Sequence, residues 1–189
     1  MADWDERYRK GEHAPTIPHQ LLTQAVDLLF PGRALDLACG AGRHAVYLAS
    51  RGWDVTAVDR SRVGLEIARQ RANEMAVAIQ TIEADLEQPE FGIEAAGYDL
   101  ICIFYYLQRD LFPKVKAGLR SAGTFVGAIH IVDDEPDAHP MNPAFLLNPG
   151  ELKQFFAGWE IDYYREGRWE GADHKHRDAE IIARKKCTT

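Results

Sequence analysis

The sequence predicts an α/β chain: a doubly wound, mostly parallel seven-stranded sheet with helices on both faces and one antiparallel edge strand. Three observations carry that expectation. Short apolar runs alternate with helical periodicities through the first two thirds of the chain. The first of these runs ends in a glycine-rich turn that opens a helix. The last third closes with two strand-like runs separated by a polar turn region, as a hairpin would be.

Taken in order, Ile17, Leu21, Leu22, Ala25, Leu28 and Leu29 fall on one helical face over residues 17–29, and Pro31-Gly32 stops that helix. Ala34-Leu-Asp-Leu-Ala-Cys39 reads as a buried strand feeding a helix at 42–51. Gly52 ends that helix, and Trp53-Asp-Val-Thr-Ala-Val58 is the next strand. Ser61 is placed to N-cap a helix reaching about residue 75. Strands are expected at 77–83 and 98–104, a helix at 110–120 closed by Gly123, and a strand at 124–131. Residues 132–148 hold too many prolines and turn formers for a regular element, and a loop of that length usually serves as a lid or binding loop. A helix at 150–157 and strands at 159–164 and 179–183 finish the chain. One domain over 1–189 is expected, with an N-terminal cap and helix (1–30), a cofactor-binding core (33–131), the lid loop (132–148), and a closing helix and strands (149–189).

Composition narrows the function classes. Hydrophobic residues make up 46% and charged residues 27% of the 189 residues, which excludes disordered and collagen-like chains. A net charge of −7 argues against nucleic-acid binding, which would need a basic stripe. No apolar run approaches the roughly 20 residues of a membrane span, and no signal-peptide core opens the sequence, so a cytoplasmic protein without membrane contact is expected. Cys39, Cys102 and Cys187 are an odd number without a CxxC, which disfavours a disulfide framework or a zinc cluster. His174-Lys-His176 reads as a polar turn and Asp133-Asp-Glu135 as a solvated loop, so no metal is expected.

The chemistry centres on Asp36-Leu-Ala-Cys-Gly40-Ala-Gly42-Arg-His-Ala45. Gly40 and Gly42 permit a tight turn and close approach of a ligand to the backbone, and the helix that begins here aims its N–H groups at that ligand. Asp59, at the end of the next strand, is placed to accept both hydroxyl hydrogens of a ribose. This arrangement serves two nucleoside cofactors. A non-catalytic nucleotide- or NAD-binding module is the alternative, but Asp36 would repel a pyrophosphate at the turn. S-adenosylmethionine carries no phosphate, and its amino group and sulfonium favour a nearby anion. Asp85, after the third strand, is a third spaced acid that could accept from the adenine amine.

With these residues in place, Asp36-Leu-Ala-Cys-Gly-Ala-Gly42, Val58-Asp59-Arg-Ser61, Ala84-Asp85-Leu86 and Tyr98-Asp-Leu-Ile-Cys-Ile103 resemble the successive motifs of class I S-adenosylmethionine-dependent methyltransferases, whose fold is Rossmann-like. The chain is most similar to the small tellurite-resistance and thiopurine-type members, through Trp4-Asp-Glu-Arg7-Tyr8, Tyr105-Tyr-Leu-Gln-Arg-Asp-Leu-Phe112 and His139-Pro-Met-Asn-Pro-Ala-Phe-Leu-Leu147. Ala38 stands where many members carry a glycine. The resemblance implies that Asp36, Gly40 and Gly42 line the methionine side, Asp59 and Arg60 the ribose, and Asp85 with Leu86 the adenine. It places the backbone around Phe104 beside the methionine moiety. Trp4 and Tyr8 would fold over the site as a cap, or else Trp4 simply staples the first helix.

The expected reaction is methyl transfer to a small-molecule acceptor, with a soft sulfur, selenium or tellurium nucleophile as one candidate and S-adenosylhomocysteine as the product. An in-line displacement mostly needs alignment and exclusion of water. An acceptor that must lose a proton also needs a base. Tyr105, Tyr106, Arg109, His130, His139 and Asn142 are the candidate acceptor-side residues, and none has a clear claim to be that base. A monomer or homodimer is expected.

Overall fold

The computed structural model describes residues 4–133, 141–168 and 176–187. Seven strands form one sheet: β1 (Arg33–Leu37), β2 (Asp54–Asp59), β3 (Gln80–Glu83), β4 (Tyr98–Phe104), β5 (Leu119–His130), β6 (Glu160–Gly167) and β7 (Asp178–Arg184). Their spatial order is β3-β2-β1-β4-β5-β7-β6. β1 to β5 pair in parallel, while β7 runs antiparallel to both β5 and β6. The order reverses between β1 and β4, and the glycine turn leaves the carboxyl end of β1 at that switch point, where open α/β sheets place their ligands.

The helices are α1 (Trp4–Arg9), α2 (Gln20–Val26), α3 (Arg43–Ser50), α4 (Arg62–Glu74), α5 (Leu111–Gly118) and α6 (Glu151–Phe155). Alternation along the strands divides the core between the two faces. On one face Leu35, Leu37, Ile101, Ile103 and Phe125 pack with Leu111, Phe112 and Phe156. On the other, Ala34, Val55, Ala57, Leu100 and Cys102 pack with Leu21, Leu22, Leu48 and Leu65. Strands buried on both faces read as near-continuous apolar runs, which is how they stood in the sequence. Each fully buried Leu, Ile or Phe contributes about 1.5–3 kcal/mol.

Several boundaries move, each for a local reason. The helix expected over 17–29 spans only Gln20–Val26: His19 caps it, its Nδ1 accepting from the Leu21 N–H at 3.2 Å. Ile17 and Leu28, expected on the buried face, are 77% and 86% exposed. β3 begins at Gln80 rather than 77 because the chain is still leaving α4, with the Val77 N–H on the Ala72 carbonyl and Ala76 at φ +52°. β5 begins at Leu119 rather than 124. Its register against β4 shifts between the Tyr98–Leu119 and Leu100–Thr124 pairs, so the helix stop expected at Gly123 is taken up as an irregularity inside the strand, with Ala122 at φ +61°. In the 132–148 loop, Pro143–Phe145 form one 3-10 turn, and Ile131 pairs with Leu147.

Candidate cofactor and acceptor site

The turn between β1 and α3 uses three left-handed residues, Ala38 (φ +55°), Gly40 (φ +54°) and Gly42 (φ +76°). Only at the two glycines is a side chain excluded by what lies around them. A Cβ on Gly42 would stand 2.5 Å from the Ala68 Cβ on α4, and one on Gly40 would collide with the Tyr8 hydroxyl. The turn is therefore packed from both sides, by α4 and by α1.

Two carboxylates underlie it. Asp59 is 8% exposed and accepts two backbone bonds, from the Gly40 N–H and the Ser61 N–H, each at 2.8 Å. It ties the glycine turn to the start of α4, while burial raises its pKa against the pull of those two bonds. Asp36 lies deeper, at 1% exposure. Its Oδ1 accepts from the Cys102 thiol at 3.4 Å, and its Oδ2 is buried without a partner among the described residues. Burial pushes the Asp36 carboxyl up to about 7, with the Cys102 and Ala45 hydrogen bonds and the Arg43 charge acting in the opposite direction. An unpartnered buried carboxylate oxygen beneath a glycine cradle and a helix N-terminus suits a cationic amino group and opposes a phosphate.

The N-terminal helix packs against the glycine turn and α4. α1 lies on α4, and its Asp5 accepts from the Ser61 hydroxyl at 2.5 Å and the Val63 N–H at 3.3 Å. Tyr8 is buried over Gly40 and Gly64, and that burial with the nearby Asp59 charge raises its phenol pKa. Trp4 packs against Tyr8, His13 and the Arg7 guanidinium. Arg71 of α4 donates to the Ala14, Pro15 and Ala41 carbonyls, tying the segment after α1 to the turn.

On the far side of the turn, Asp85 accepts from the Glu87 N–H and the Gln88 amide, and these bonds hold its carboxyl below the usual range. Leu86 is buried, and its carbonyl accepts from Gln108, whose own side-chain oxygen accepts from the Tyr106 hydroxyl. Arg60 is exposed, and its charge acts on both Asp85 and Tyr106. Tyr106, expected on the acceptor side, thus stands with the Asp85–Leu86 segment.

The other acceptor-side candidates separate. Arg109 forks onto Glu151 and the Leu146 carbonyl, pinning the start of α6. Asn142 caps the 3-10 turn through the Ala144 N–H. His139 lies outside the described residues. Tyr105 and His130 come together: Tyr105 leaves β4 at φ +59°, its N–H still bonded to the Ala128 carbonyl, and its ring stacks on His130 at 4.9 Å. Three residues here escaped the sequence reading. His44, at the second position of α3, is buried against Phe104 at 4.1 Å, and burial drives its pKa far down. His19 packs on Phe104 and Tyr105. Asp178 accepts from His130 Nδ1 at 2.6 Å. His44 follows Gly42-Arg43 directly and was within reach of a sequence argument. The Asp178 pairing needs β7 placed beside β5, which no local pattern supplies.

A doubly wound sheet with a glycine cradle at its switch point and a buried, half-satisfied acid beneath it defines a class I S-adenosylmethionine-dependent methyltransferase. Comparison with known proteins agrees. The family described as "Tellurite resistance protein TehB" matches residues 2–185. The chain is 27% identical over 197 residues to the probable S-adenosyl-L-methionine-dependent methyltransferase TehB of Haemophilus influenzae, covering 96% of this chain and 67% of that one. It is 42% identical over 160 residues to a ubiquinone biosynthesis O-methyltransferase of Alkalilimnicola ehrlichii, covering 80% of this chain and 61% of the relative. The crystal structure of TehB from Haemophilus influenzae superimposes with a TM-score of 0.78 at 25% identity, over 96% of this chain and 67% of that one. The chain belongs to the TehB family. It spans 67% and 54% of the length of the first two of the curated relatives it matches.

Proposed function

We propose that this methyltransferase serves a small-molecule acceptor with a soft chalcogen nucleophile, bound at the carboxyl end of β4 and β5. The observation that supports this reading is the row of rings beside the cradle: His44 on Phe104, Phe104 against His19, His19 against Tyr105, and Tyr105 on His130. Polarisable sulfur and its heavier relatives make favourable contacts with ring edges. The tellurite-resistance description of the family points the same way.

For the cofactor, the reading gives Asp36 the methionine amino group, Gly40 and Gly42 the close backbone approach, Asp59 and Arg60 the ribose, and Asp85 with Leu86 the adenine. Tyr8 closes the turn, and Phe104 lies beside the methionine moiety. When bound, S-adenosylmethionine supplies an electrophilic methyl group on a sulfonium. The chain supplies alignment and a water-poor surface. The protein acts alone or as a homodimer, in the cytoplasm, without nucleic acid or membrane. Among the described residues no helix is long and apolar enough to cross a membrane. The likeness to an O-methyltransferase favours one second reading, a small phenolic acceptor.

The test is release of S-adenosylhomocysteine with a panel of thiols, selenite, tellurite and phenols. Turnover confined to the sulfur, selenium or tellurium compounds is expected, and turnover confined to phenols would replace the chalcogen by oxygen.

A further inference from the structure

Resting on the reading of the glycine turn as the cofactor cradle, we propose that Arg71 of α4 is a positioning residue that latches the N-terminal segment across that cradle. The cofactor enters, and its product leaves, when the latch opens.

The argument begins on one face of α4. Gly64, Ala68 and Arg71 are spaced i, i+4 and i+7, so they share one side of the helix. Each meets a different part of the turn. A Cβ on Gly64 would stand 3.0 Å from the Gly40 carbonyl oxygen, and one on Gly42 would stand 2.5 Å from the Ala68 Cβ. These two small residues let helix and turn approach closely, and the third residue of the row grips. Arg71 Nη1 donates to the Ala41 carbonyl, between the two glycines, at 2.9 Å. A peptide unit is planar, so holding that oxygen sets the plane of the Ala41–Gly42 peptide, whose N–H bonds the Cys39 carbonyl at 3.0 Å.

The same guanidinium holds the chain that passes above. Its Nη1 also donates to the Pro15 carbonyl at 3.0 Å, and its Nη2 to the Ala14 carbonyl at 2.6 Å. Contacts taken in chain order trace the path of this segment. Asp5 meets Ser61 and Val63 at the start of α4, and Tyr8 covers Gly40 and Gly64. After Ala14 and Pro15, the Ile17 carbonyl accepts from Arg43 of α3 at 3.4 Å. The His19 ring then packs on Phe104 and Tyr105 at the end of β4. The segment is a strap along the carboxyl edge of the sheet, from α4 to β4, and it passes the glycine turn on the way. From residue 9 to residue 17 it buries no side chain. A stretch without buried apolar contacts opens at lower cost than a packed core, so its polar bonds decide how long it stays closed.

Arginine suits this task. A guanidinium offers five donors in a planar fork and keeps its charge, so one side chain serves three carbonyls from two segments. Burial pulls the Arg71 pKa below its ordinary value, with Glu74 and Tyr8 acting in the opposite direction. Strap and turn share one rigid planar group. A ligand that fixes the turn therefore favours the closed strap, and by linkage the closed strap favours the ligand by the same factor.

The strap carries its own reporter, because trypsin cuts after Arg9 and Lys10 when the segment lifts. Limited digestion of the full chain, read by mass, measures opening, and stopped-flow displacement measures release of S-adenosylhomocysteine. In the wild-type protein the bound product should slow cleavage at those two sites. Arg71→Met should speed both the cleavage and the release of product by about tenfold or more, the scale of hydrogen bonds to a charged group. Arg71→Lys keeps the charge and three donors, and should fall between the two. An arginine that merely packed α4 would leave the release rate alone. Unchanged release from a folded Arg71→Met protein, or faster release with unchanged strap cleavage, would overturn the latch. If Arg71→Met does not fold, judged by circular dichroism, the same two rates in Arg71→Lys decide the matter. Product that binds the wild-type protein without slowing strap cleavage would also overturn the latch. Unchanged product affinity in Asp36→Asn would overturn the cradle reading beneath it, and the latch with it.

Discussion

Asp36 carries the strongest single-residue argument, because its carboxyl is buried, raised to about 7, and half satisfied. In the ligand-free protein a raised carboxyl contributes stability that is fully present below its unfolded pKa near 4 and is lost as pH climbs through about 7. Binding to a cationic amino group has the opposite sign, since it needs the ionised form. S-adenosylhomocysteine should therefore bind more tightly at pH 8 than at pH 6, by up to roughly tenfold for each unit below the Asp36 pKa. Calorimetry across that window checks it, and Asp36→Asn should flatten both trends. A wild-type affinity independent of pH would remove Asp36 from the methionine side. The fold-carrying role of Asp59 was not legible beforehand. A strand-end acid reads as a ligand for ribose, yet its two oxygens also hold the Gly40 and Ser61 N–H groups. Asp59→Ala is expected to lower cofactor affinity by about 1.5–3 kcal/mol and to lower the melting temperature as well, because two buried N–H groups lose a charged acceptor. An unchanged melting temperature with weakened binding would restore the ligand-only reading.

Among the elements, α1 and α4 form one unit at the mouth of the cradle. Ser61 caps α4 through the Gly64 N–H at 3.0 Å, and its hydroxyl donates in turn to Asp5 of α1. Ser61→Ala removes the cap and the link together, and should cost about 1–2 kcal/mol, the upper part of the range for a capping serine. Chemical denaturation measures that loss, and Asp5→Ala should reproduce part of it. If Asp5→Ala changed nothing, α1 would be held by Tyr8 and the Arg71 bonds to the segment after it rather than by the Ser61 link. Legibility also differed between elements. β4 was expected at 98–104 and is found there, because a strand buried on both faces is written as an uninterrupted apolar run. α2 was drawn too long, because helical spacing of apolar residues does not say where they are buried. Pro18 and His19 start the helix late, and Ile17, Leu28 and Phe30 are left in solvent. β5 was expected at 124–131 and drawn too short at its start for a different reason. Gly123 reads locally as a turn, and only the neighbouring strands β4 and β7 make residues 119–123 part of a sheet.

For the whole molecule the decisive question is which nucleoside cofactor the switch-point crevice stabilises. On the proposed reading the cofactor would touch parts far apart in sequence: the β1 turn, the end of β2, the Asp85 segment, the end of β4, and α1, which packs on Gly40. A ligand touching all of them binds only the folded chain, so its binding energy adds to the stability of the entire sheet. At 100 times the dissociation constant that addition is about 2.7 kcal/mol. For a chain of this size each kcal/mol raises the melting temperature by roughly 2–4 °C, so S-adenosylhomocysteine should give a rise of about 5–11 °C. NAD should give none, because its pyrophosphate would have to sit at the turn above Asp36, whose buried carboxylate opposes a second negative group. Asp36→Asn removes that repulsion without adding volume, and makes the experiment sharper. It should shrink the shift with S-adenosylhomocysteine while leaving the Gly40–Gly42 cradle in place. Thermal scans of both proteins with both ligands at matched concentrations settle the matter. A rise with NAD in the wild-type protein would overturn the assignment of the crevice to an adenosyl amino acid.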